Sequence, residues 1–222
     1  MVAARRELLL HAARLVGAFG LVVAARGNPA LALIACLALF LAAFAFNHDV
    51  LHGALKLPRA ANEALLSALA LLMGWSGHAV RRLHLRHHAR PLAADDVEGH
   101  GATLSFWGAV AAGPMNAARY RVAAFERERA VQAVETLAAV GFTVLALASR
   151  TVIGAAWVVV NVTMQLTATV WASWLPHRPP AWARALARRL AWTHSAAVAS
   201  FAFHDEHHAR PKVPCGELAR AA

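Results

Sequence analysis

The chain has 222 residues, 59% of them hydrophobic, and a positive mean hydropathy of +0.47. This composition and several long apolar runs exclude a soluble enzyme and predict a single all-α, polytopic membrane domain over residues 1–222. The formal net charge is +10, yet no RNA- or DNA-binding motif is visible in the sequence. Basic loops beside membrane spans account for this charge, so we expect a membrane environment and no nucleic acid partner.

Four apolar runs predict four transmembrane helices that form two hairpins. They cover about residues 8–25, 30–46, 131–149 and 151–175. Each run is close to the ~20 residues with which a helix crosses the hydrocarbon layer. Short turns at Arg26–Pro29 and at Arg150 separate the members of each pair. His11 and Arg14, near the start of the first run, predict that this end lies in the membrane interface.

Three further stretches are apolar, and we predict that they form helices along the membrane surface. They are residues 63–80, 104–115 and 182–203. The first stretch lies between two histidine clusters that have to reach the same site, so it must begin and end on one side of the membrane. A shallow helix that breaks near Gly74–Gly77 satisfies this requirement. The second stretch contains Gly113-Pro114 close to its end, and the third alternates apolar residues with arginines.

The basic residues predict how these helices are oriented. Of the 22 Lys and Arg, only Arg26 and Arg150 lie in the two tight hairpin turns. Nearly all the others lie on the opposite side, which faces the cytoplasm by the positive-inside rule. The histidine clusters lie on that same side, and the bias toward Ala and Arg indicates a bacterial source. We therefore expect an integral protein of the bacterial inner membrane whose histidine clusters face the cytoplasm.

Eight of the thirteen histidines form three short clusters. The first contains His48 and His52, the second His84, His87 and His88, and the third His204, His207 and His208. Residues three or four apart share one face of a helix, so each cluster can direct its imidazoles toward one place. One ion offers about four to six coordination positions, too few for eight imidazoles. The sequence therefore predicts a site for two metal ions, through which these histidines act in catalysis.

Five carboxylates lie within or beside the clusters, and we predict that they accept N–H hydrogen bonds from the ligating imidazoles. They are Asp49, Asp95, Asp96, Asp205 and Glu206. Such partners orient the rings and offset the charge of the metal. The two cysteines form neither a disulfide framework nor a metal-binding spacing, and we expect Cys215 to be exposed in the C-terminal tail.

The order and spacing of the clusters resemble those of the membrane fatty acid desaturase and hydroxylase superfamily. The pattern is HxxxH, then HxxHH, then an apolar hairpin, then HxxHH, and it runs from about Phe46 to Pro214. Within the superfamily, the chain is most similar to the bacterial carotenoid β-ring oxygenases, which are ketolases and hydroxylases. The first cluster reads His-Asp-Val-Leu-His-Gly, and the last span ends in Leu-Pro-His-Arg-Pro. The acidic stretch 94–100 lacks the Asp-Pro-Asp element of those enzymes.

The resemblance implies a non-haem di-iron membrane enzyme that uses dioxygen to oxidise C–H bonds of a lipid from the bilayer. It also implies a ninth metal ligand, His177, which follows the last predicted span. Ketolation or hydroxylation of a carotenoid β-ring is the first expectation, and desaturation or hydroxylation of a fatty acyl lipid is the alternative. A non-catalytic membrane protein that binds or transports metal is a more remote alternative. No flavin or nucleotide fingerprint occurs, so we expect electrons from a ferredoxin or a reductase.

Overall fold

The computed structural model of the protein describes residues 2–25, 27–124, 129–193 and 195–221. These residues are predominantly helical and contain no strand, which confirms the predicted all-α class. The helices are α1 (Val2–Ala24), α2 (Pro29–Leu51), α3 (Arg59–Leu72), α4 (Gly77–Ala89), α5 (Phe106–Ala124), α6 (Arg129–Ala148), α7 (Val152–Leu166), α8 (Leu175–His177), α9 (Ala181–Arg189), α10 (Ala196–Ala202), α11 (His204–Ala209) and α12 (Leu218–Ala221). A π-helical segment covers Thr169–Trp174, and short 3-10 turns cover Gly99–Thr103, Ala191–Thr193 and Cys215–Glu217.

Two compact units make up the chain. Unit 1 comprises Met1–His78 and Glu128–Met164, and unit 2 comprises Ala79–Arg127 and Gln165–Ala222. Each unit therefore combines two stretches that are distant in sequence. Unit 1 holds the first histidine cluster, and unit 2 holds the second and the third.

Three helices in the described part of the chain are long and apolar enough to cross a membrane. They are α1, α2 and the stretch Ala130–Ala148 of α6. Up to two more spans are counted if each of two interrupted helix pairs crosses as one, namely α3 with α4 and α7 with Thr169–His177. These apolar helices are those of a membrane protein. Length and composition thus allow three to five spans, and the count of four in two hairpins stays a prediction.

In unit 1, α1 and α2 form a hairpin at the predicted turn. Gly27 has a φ of +86°, a conformation that glycine adopts without steric cost. Asn28 then caps α2, because its Oδ1 accepts a hydrogen bond from Leu31 N at 3.1 Å. Pro29 occupies the first helical position, where its missing N–H removes no helical hydrogen bond. The buried face of α1 packs against α2.

The break between α3 and α4 lies close to the predicted interruption near Gly74–Gly77. The helical conformation stops at Leu72 and resumes at Gly77. A Cβ on Gly77 would lie 2.5 Å from Leu66 O, so only glycine allows the two backbones to approach this closely. Trp157 Nε1 donates a hydrogen bond to Leu72 O at 3.0 Å and satisfies one of the last carbonyls of α3.

Glu135 on α6 binds several groups at this break. Its carboxylate accepts hydrogen bonds from the hydroxyls of Ser67 and Ser76, the latter at 2.6 Å. It also accepts hydrogen bonds from the backbone N of His78 at 3.2 Å and from His78 Nδ1 at 2.8 Å. His78 Nε2 lies 2.9 Å from Glu63 Oε2. Hydrogen bonds to a charged acceptor are stronger than those to a neutral one. Glu135 therefore stabilises the packing of the segment between α3 and α4 against α6.

In unit 2, α5 differs from the surface helix predicted at residues 104–115. It begins at Phe106 and continues through Pro114 to Ala124, beyond the predicted end at Met115. A Cβ on Gly113 would overlap Leu166 O. The backbone of α5 therefore packs directly against the backbone at Leu166. This close packing explains why the helix persists although Pro114 removes one of its hydrogen bonds.

Two buried side chains hold the π-helical segment Thr169–Trp174 in unit 2. Thr169 Oγ1 donates a hydrogen bond to Ala109 O at 2.8 Å. Ser173 Oγ accepts a hydrogen bond from Ala102 N at 3.1 Å. Interhelical hydrogen bonding is a common use of such polar residues in membrane helices. These bonds fix the segment that leads directly into α8.

We expect Glu135→Leu to destabilise the protein, because three side chains would lose the acceptor that they share. The hydrogen bonds involved have a charged acceptor, so we expect the free energy of unfolding to fall by about 2–3 kcal/mol. Thermal unfolding in detergent micelles, followed by circular dichroism, measures the change. Ala138→Leu, at an exposed position of the same helix, is the control. Equal unfolding temperatures for the two variants would contradict the anchoring role of Glu135.

Candidate metal centre

Seven of the nine predicted ligands belong to unit 2. The second cluster occupies the C-terminal part of α4, the third occupies α11, and His177 is the last residue of α8. Helical spacing places His204 and His208 one turn apart on α11, so both rings point the same way. The three elements bring these seven imidazoles together in two adjoining groups.

Group A consists of His87, His177, His204 and His208. One ring nitrogen of each residue lies within 4.8 Å of those of the other three. His204 Nε2 is 3.3 Å from His177 Nε2 and 3.1 Å from His208 Nε2. In group A, His177 therefore lies beside residues of the second and third clusters.

Group B consists of His84, His88 and His207. His88 Nε2 lies 3.1 Å from His84 Nε2 and 3.1 Å from His207 Nε2. The ring of His88 stacks on that of His208 with 4.1 Å between the ring centroids, so groups A and B are neighbours. His207 is buried, with only 1% of its surface exposed.

The distances between these nitrogens suit ligands of one metal ion. Imidazole nitrogens lie about 2.1 Å from a bound transition metal. Two such nitrogens are then about 3.0 Å apart at a right angle and about 3.4 Å apart at a tetrahedral angle. The Nε2–Nε2 distances of 3.1 to 3.3 Å fall in this interval. The spacing of the nitrogens in each group thus matches that of ligands bound to one metal ion.

Hydrogen-bond acceptors at the Nδ1 atoms fix the tautomer of three of these rings. His87 Nδ1 donates to Asp96 Oδ2 at 2.6 Å, and His84 Nδ1 donates to Glu98 Oε1 at 2.5 Å. His177 Nδ1 donates to a backbone carbonyl at 2.8 Å. Carboxylates and carbonyls only accept hydrogen bonds, so Nδ1 carries the proton and Nε2 has a lone pair in each neutral ring. This is the arrangement that metal-ligating histidines require.

Asp96 is itself held in place by the backbone. It accepts hydrogen bonds from Leu92 N at 2.9 Å and from Gly99 N at 3.0 Å. A Cβ on Gly99 would overlap the carboxylate of Asp96 and lie 3.1 Å from His87 Nδ1. Glycine at position 99 therefore leaves the space in which Asp96 reaches the imidazole.

The environment favours neutral rings at His204 and His208 and charged carboxylates at Asp96 and Glu98. Burial, together with the neighbouring imidazoles, lowers the pKa of His204 to about 2 and that of His208 to about 4. Burial raises the pKa of Asp96 and Glu98, but hydrogen bonds and the positive charge of nearby histidines outweigh it. The net pKa of both acids is lower than usual. At neutral pH the site thus offers neutral rings at His204 and His208 beside two anions.

In unit 1, the first cluster lies at the C-terminal end of α2. The rings of His48 and His52 are 5.0 Å apart, measured between centroids, and both residues are buried. His11, which the sequence predicts at the membrane interface, is buried within the protein and only 1% exposed. Its ring stacks on Phe46 and its Nε2 lies 3.0 Å from Asp49 Oδ2. Asp49 therefore bonds a histidine outside the three clusters.

The remaining predicted carboxylates have other surroundings. Asp95 is exposed and pairs with Arg86 and Arg90 at 2.5 and 3.1 Å. Asp205 has 80% of its side chain exposed and lies 3.9 Å from Arg184. Glu206, on the same helix, is partly buried. Asp96, by contrast, accepts its hydrogen bond from His87 of group A.

Two site features escaped the sequence analysis. Glu98 was not among the predicted partners, although it bonds His84. Its position two residues after Asp96, in the same acidic stretch, is the signal that could have identified it. Cys215, predicted to be exposed, is buried with 1% of its surface accessible. The 3-10 turn that contains Cys215 packs against α10.

The family comparison agrees with these histidine groups. The profile of the fatty acid desaturase family matches residues 24–222. Because this range covers most of the chain, the protein belongs to the fatty acid desaturase family. Its members are membrane oxidoreductases that act on lipids. No curated protein and no solved structure matches the chain.

We expect Asp96→Asn to weaken metal binding about 10- to 100-fold, the usual cost of losing the hydrogen-bond partner of a ligating histidine. The variant keeps the size of the side chain but removes its charge. Bound iron is measured during titration with a chelator, while circular dichroism monitors the helices. Asp95→Asn is the matched control, because that neighbouring acid pairs with arginines. Wild-type affinity in Asp96→Asn would contradict the assigned role.

Proposed function

We propose that this protein is a di-iron, dioxygen-dependent oxidoreductase that acts on C–H bonds of a membrane lipid. The reaction that we favour is ketolation or hydroxylation of a carotenoid β-ring. The observation that carries this proposal is the pair of adjoining imidazole groups in unit 2. Imidazole ligands suit iron, and enzymes of the desaturase family typically depend on iron.

The proposed ligand set contains nine histidines. They are His48, His52, His84, His87, His88, His177, His204, His207 and His208. The first two are included on the basis of the sequence pattern, and the other seven form groups A and B. Two six-coordinate ions offer about twelve positions, so nine imidazoles leave about three for water and oxygen. When bound, the irons supply the reduction of dioxygen and the oxidation of the C–H bond.

Asp96 and Glu98 are proposed to prepare the site for this chemistry. Each holds one imidazole in the tautomer that presents Nε2, and each places a negative charge behind a ligand of the metal. Neutral ligands alone would leave the charge of two metal ions uncompensated in a buried site. The two carboxylates offset part of this charge without occupying a coordination position.

Two lines of support favour a carotenoid substrate. The first cluster has the form His-Asp-x-x-His-Gly, and Leu175–Pro179 reads Leu-Pro-His-Arg-Pro. Both elements resemble those of carotenoid β-ring oxygenases. Membership of the fatty acid desaturase family is equally consistent with the alternative, a fatty acyl desaturase or hydroxylase. The non-catalytic metal-binding or transport protein is the remote alternative.

The proposed setting is the bacterial inner membrane, with the histidine clusters on the cytoplasmic side. This orientation is supported by the distribution of the 22 Lys and Arg, of which only two lie in the tight hairpin turns. The electron donor is proposed to be a ferredoxin or a reductase, since the chain has no nucleotide or flavin fingerprint. A basic cytoplasmic surface attracts an acidic donor and accelerates its association.

The proposal is tested in cells that produce β-carotene, with and without the protein. We expect new keto- or hydroxy-carotenoids, identified by chromatography and mass spectrometry, and two irons per purified chain. Fatty acids are analysed in the same cells. Unchanged pigments together with a new unsaturated or hydroxylated acyl chain would replace the carotenoid substrate by an acyl lipid.

His87→Ala and His207→Ala are the matched variants, one from each imidazole group. Each substitution removes a ligand at a buried position, so we expect loss of product and of iron while the helices remain inserted in the membrane. Product formation at the wild-type level by either variant would refute the di-iron assignment. Metal uptake without any oxidised lipid would favour the metal-binding alternative.

A further inference from the structure

Three side chains of unit 1 that are suited to bind a metal lie close together at the contact between α1 and α2. They are Glu7 and His11 on α1 and Asp49 near the end of α2. One ligand atom of each residue lies within 4.8 Å of those of the other two. None of the three is among the nine proposed iron ligands. We name these three residues the α1–α2 triad.

The α1–α2 triad is almost completely buried. Glu7 is 0% exposed, and His11 and Asp49 are each 1% exposed. Glu7 and His11 are four residues apart, so their side chains share one face of α1. This helix is long and apolar enough to cross a membrane. Ionisable side chains are costly in such a helix, and those that occur there are usually paired or functional. The buried triad therefore needs partners for its charges.

The contacts of the triad leave one carboxylate oxygen unsatisfied. Arg14 Nη1 donates a hydrogen bond to Glu7 Oε1 at 3.1 Å, and His11 Nε2 lies 3.0 Å from Asp49 Oδ2. Within the part of the chain that the structure describes, no hydrogen-bond donor reaches Glu7 Oε2. A buried carboxylate oxygen without a partner is unfavourable, because it has lost its hydration. A cation bound at Oε2 would remove this cost.

The spacing of the ligand atoms suits one divalent ion. Nitrogen and oxygen ligands lie about 2.1 Å from Zn²⁺, so two of them are about 3.0 Å apart at a right angle and about 3.4 Å apart at a tetrahedral angle. His11 Nε2 is 3.0 Å from Asp49 Oδ2 and 3.7 Å from Glu7 Oε1. These distances lie on either side of the tetrahedral value. One imidazole and two carboxylates are ordinary ligands of Zn²⁺, and this set differs from the imidazoles of groups A and B.

We propose that the α1–α2 triad binds one divalent metal ion with the ligand preferences of zinc. The ion would connect the two helices of the hairpin, because two of its ligands lie on α1 and the third lies 38 residues later on α2. The ring of His11 already stacks on Phe46 of α2, with 4.8 Å between the ring centroids. The inference is independent of the proposed irons and substrate. The alternative without a metal is a protonated His11 that pairs with both carboxylates.

The proposal is tested by the metal content of the full-length protein after saturation with Zn²⁺ and removal of free metal by gel filtration. Zinc and iron are counted together by inductively coupled plasma mass spectrometry, because Zn²⁺ also binds imidazole groups. We expect Glu7→Gln and His11→Phe each to bind one metal ion per chain fewer than the wild type. Phenylalanine at position 11 keeps a ring that stacks on Phe46 but has no nitrogen ligand. Circular dichroism monitors the helices of both variants.

Glu217→Gln is the matched control. Glu217 also pairs with an arginine one turn away, at 3.3 Å from Arg220, but lies outside the triad. This variant should keep the metal content of the wild type. X-ray absorption at the zinc edge identifies the ligands, and the difference between the wild type and Glu7→Gln should show one imidazole together with oxygen ligands.

Equal metal content in the wild type and in the folded Glu7→Gln or His11→Phe variant would overturn the proposal. A lower unfolding temperature without loss of metal would also overturn it, because that result is expected of a hydrogen-bond network around a protonated His11. A difference spectrum that contains only imidazole ligands would assign the lost ion to the histidine groups and would contradict the proposed site.

Discussion

The histidine groups of unit 2 depend on one electrostatic requirement. Neutral imidazoles whose lone pairs face one another at 3.1 Å repel unless a cation or a proton lies between them. Burial disfavours the protonated rings, as the low pKa of His204 indicates. The proposed metal ion would satisfy both conditions, because it would draw the lone pairs together and would need no proton. Asp96 and Glu98, the close approach at Gly99 and the anchoring of the π-helical segment all serve to hold the rings in that arrangement.

Much of this site follows from residue spacing. Histidines at intervals of three and four share a helix face, and this local rule identified the second and third clusters and their convergence. Asp96 was predicted correctly because it follows the second cluster closely in sequence. Glu98 was missed, and so was the contact of Asp49 with His11. His11 reaches Asp49 across the α1–α2 hairpin, and contacts between residues so distant in sequence depend on how the helices pack.

The fold was predictable where hydropathy and turn chemistry agree. The turn before Pro29 and the break near Gly74 both lie where glycine, proline and apolar runs place them. Sequence rules failed at α5, because a proline next to a glycine usually ends a helix. There the helix continues, because Gly113 has no side chain and its backbone can pack closely against Leu166 O. The local sequence does not indicate this contact. The number of spans is not fixed by composition, because α3 and α4 are short, interrupted helices.

The π-helical segment Thr169–Trp174 makes the metal centre sensitive to chain length. A π-helical turn contains more residues than an α-helical one, and such segments can be regarded as insertions within an α-helix. Each residue of an α-helix turns the chain by about 100°. Deleting one residue from this segment would therefore rewind it as α-helix and rotate His177 away from His204. Substitutions along the segment keep the register of group A, whereas a change of one residue in its length does not.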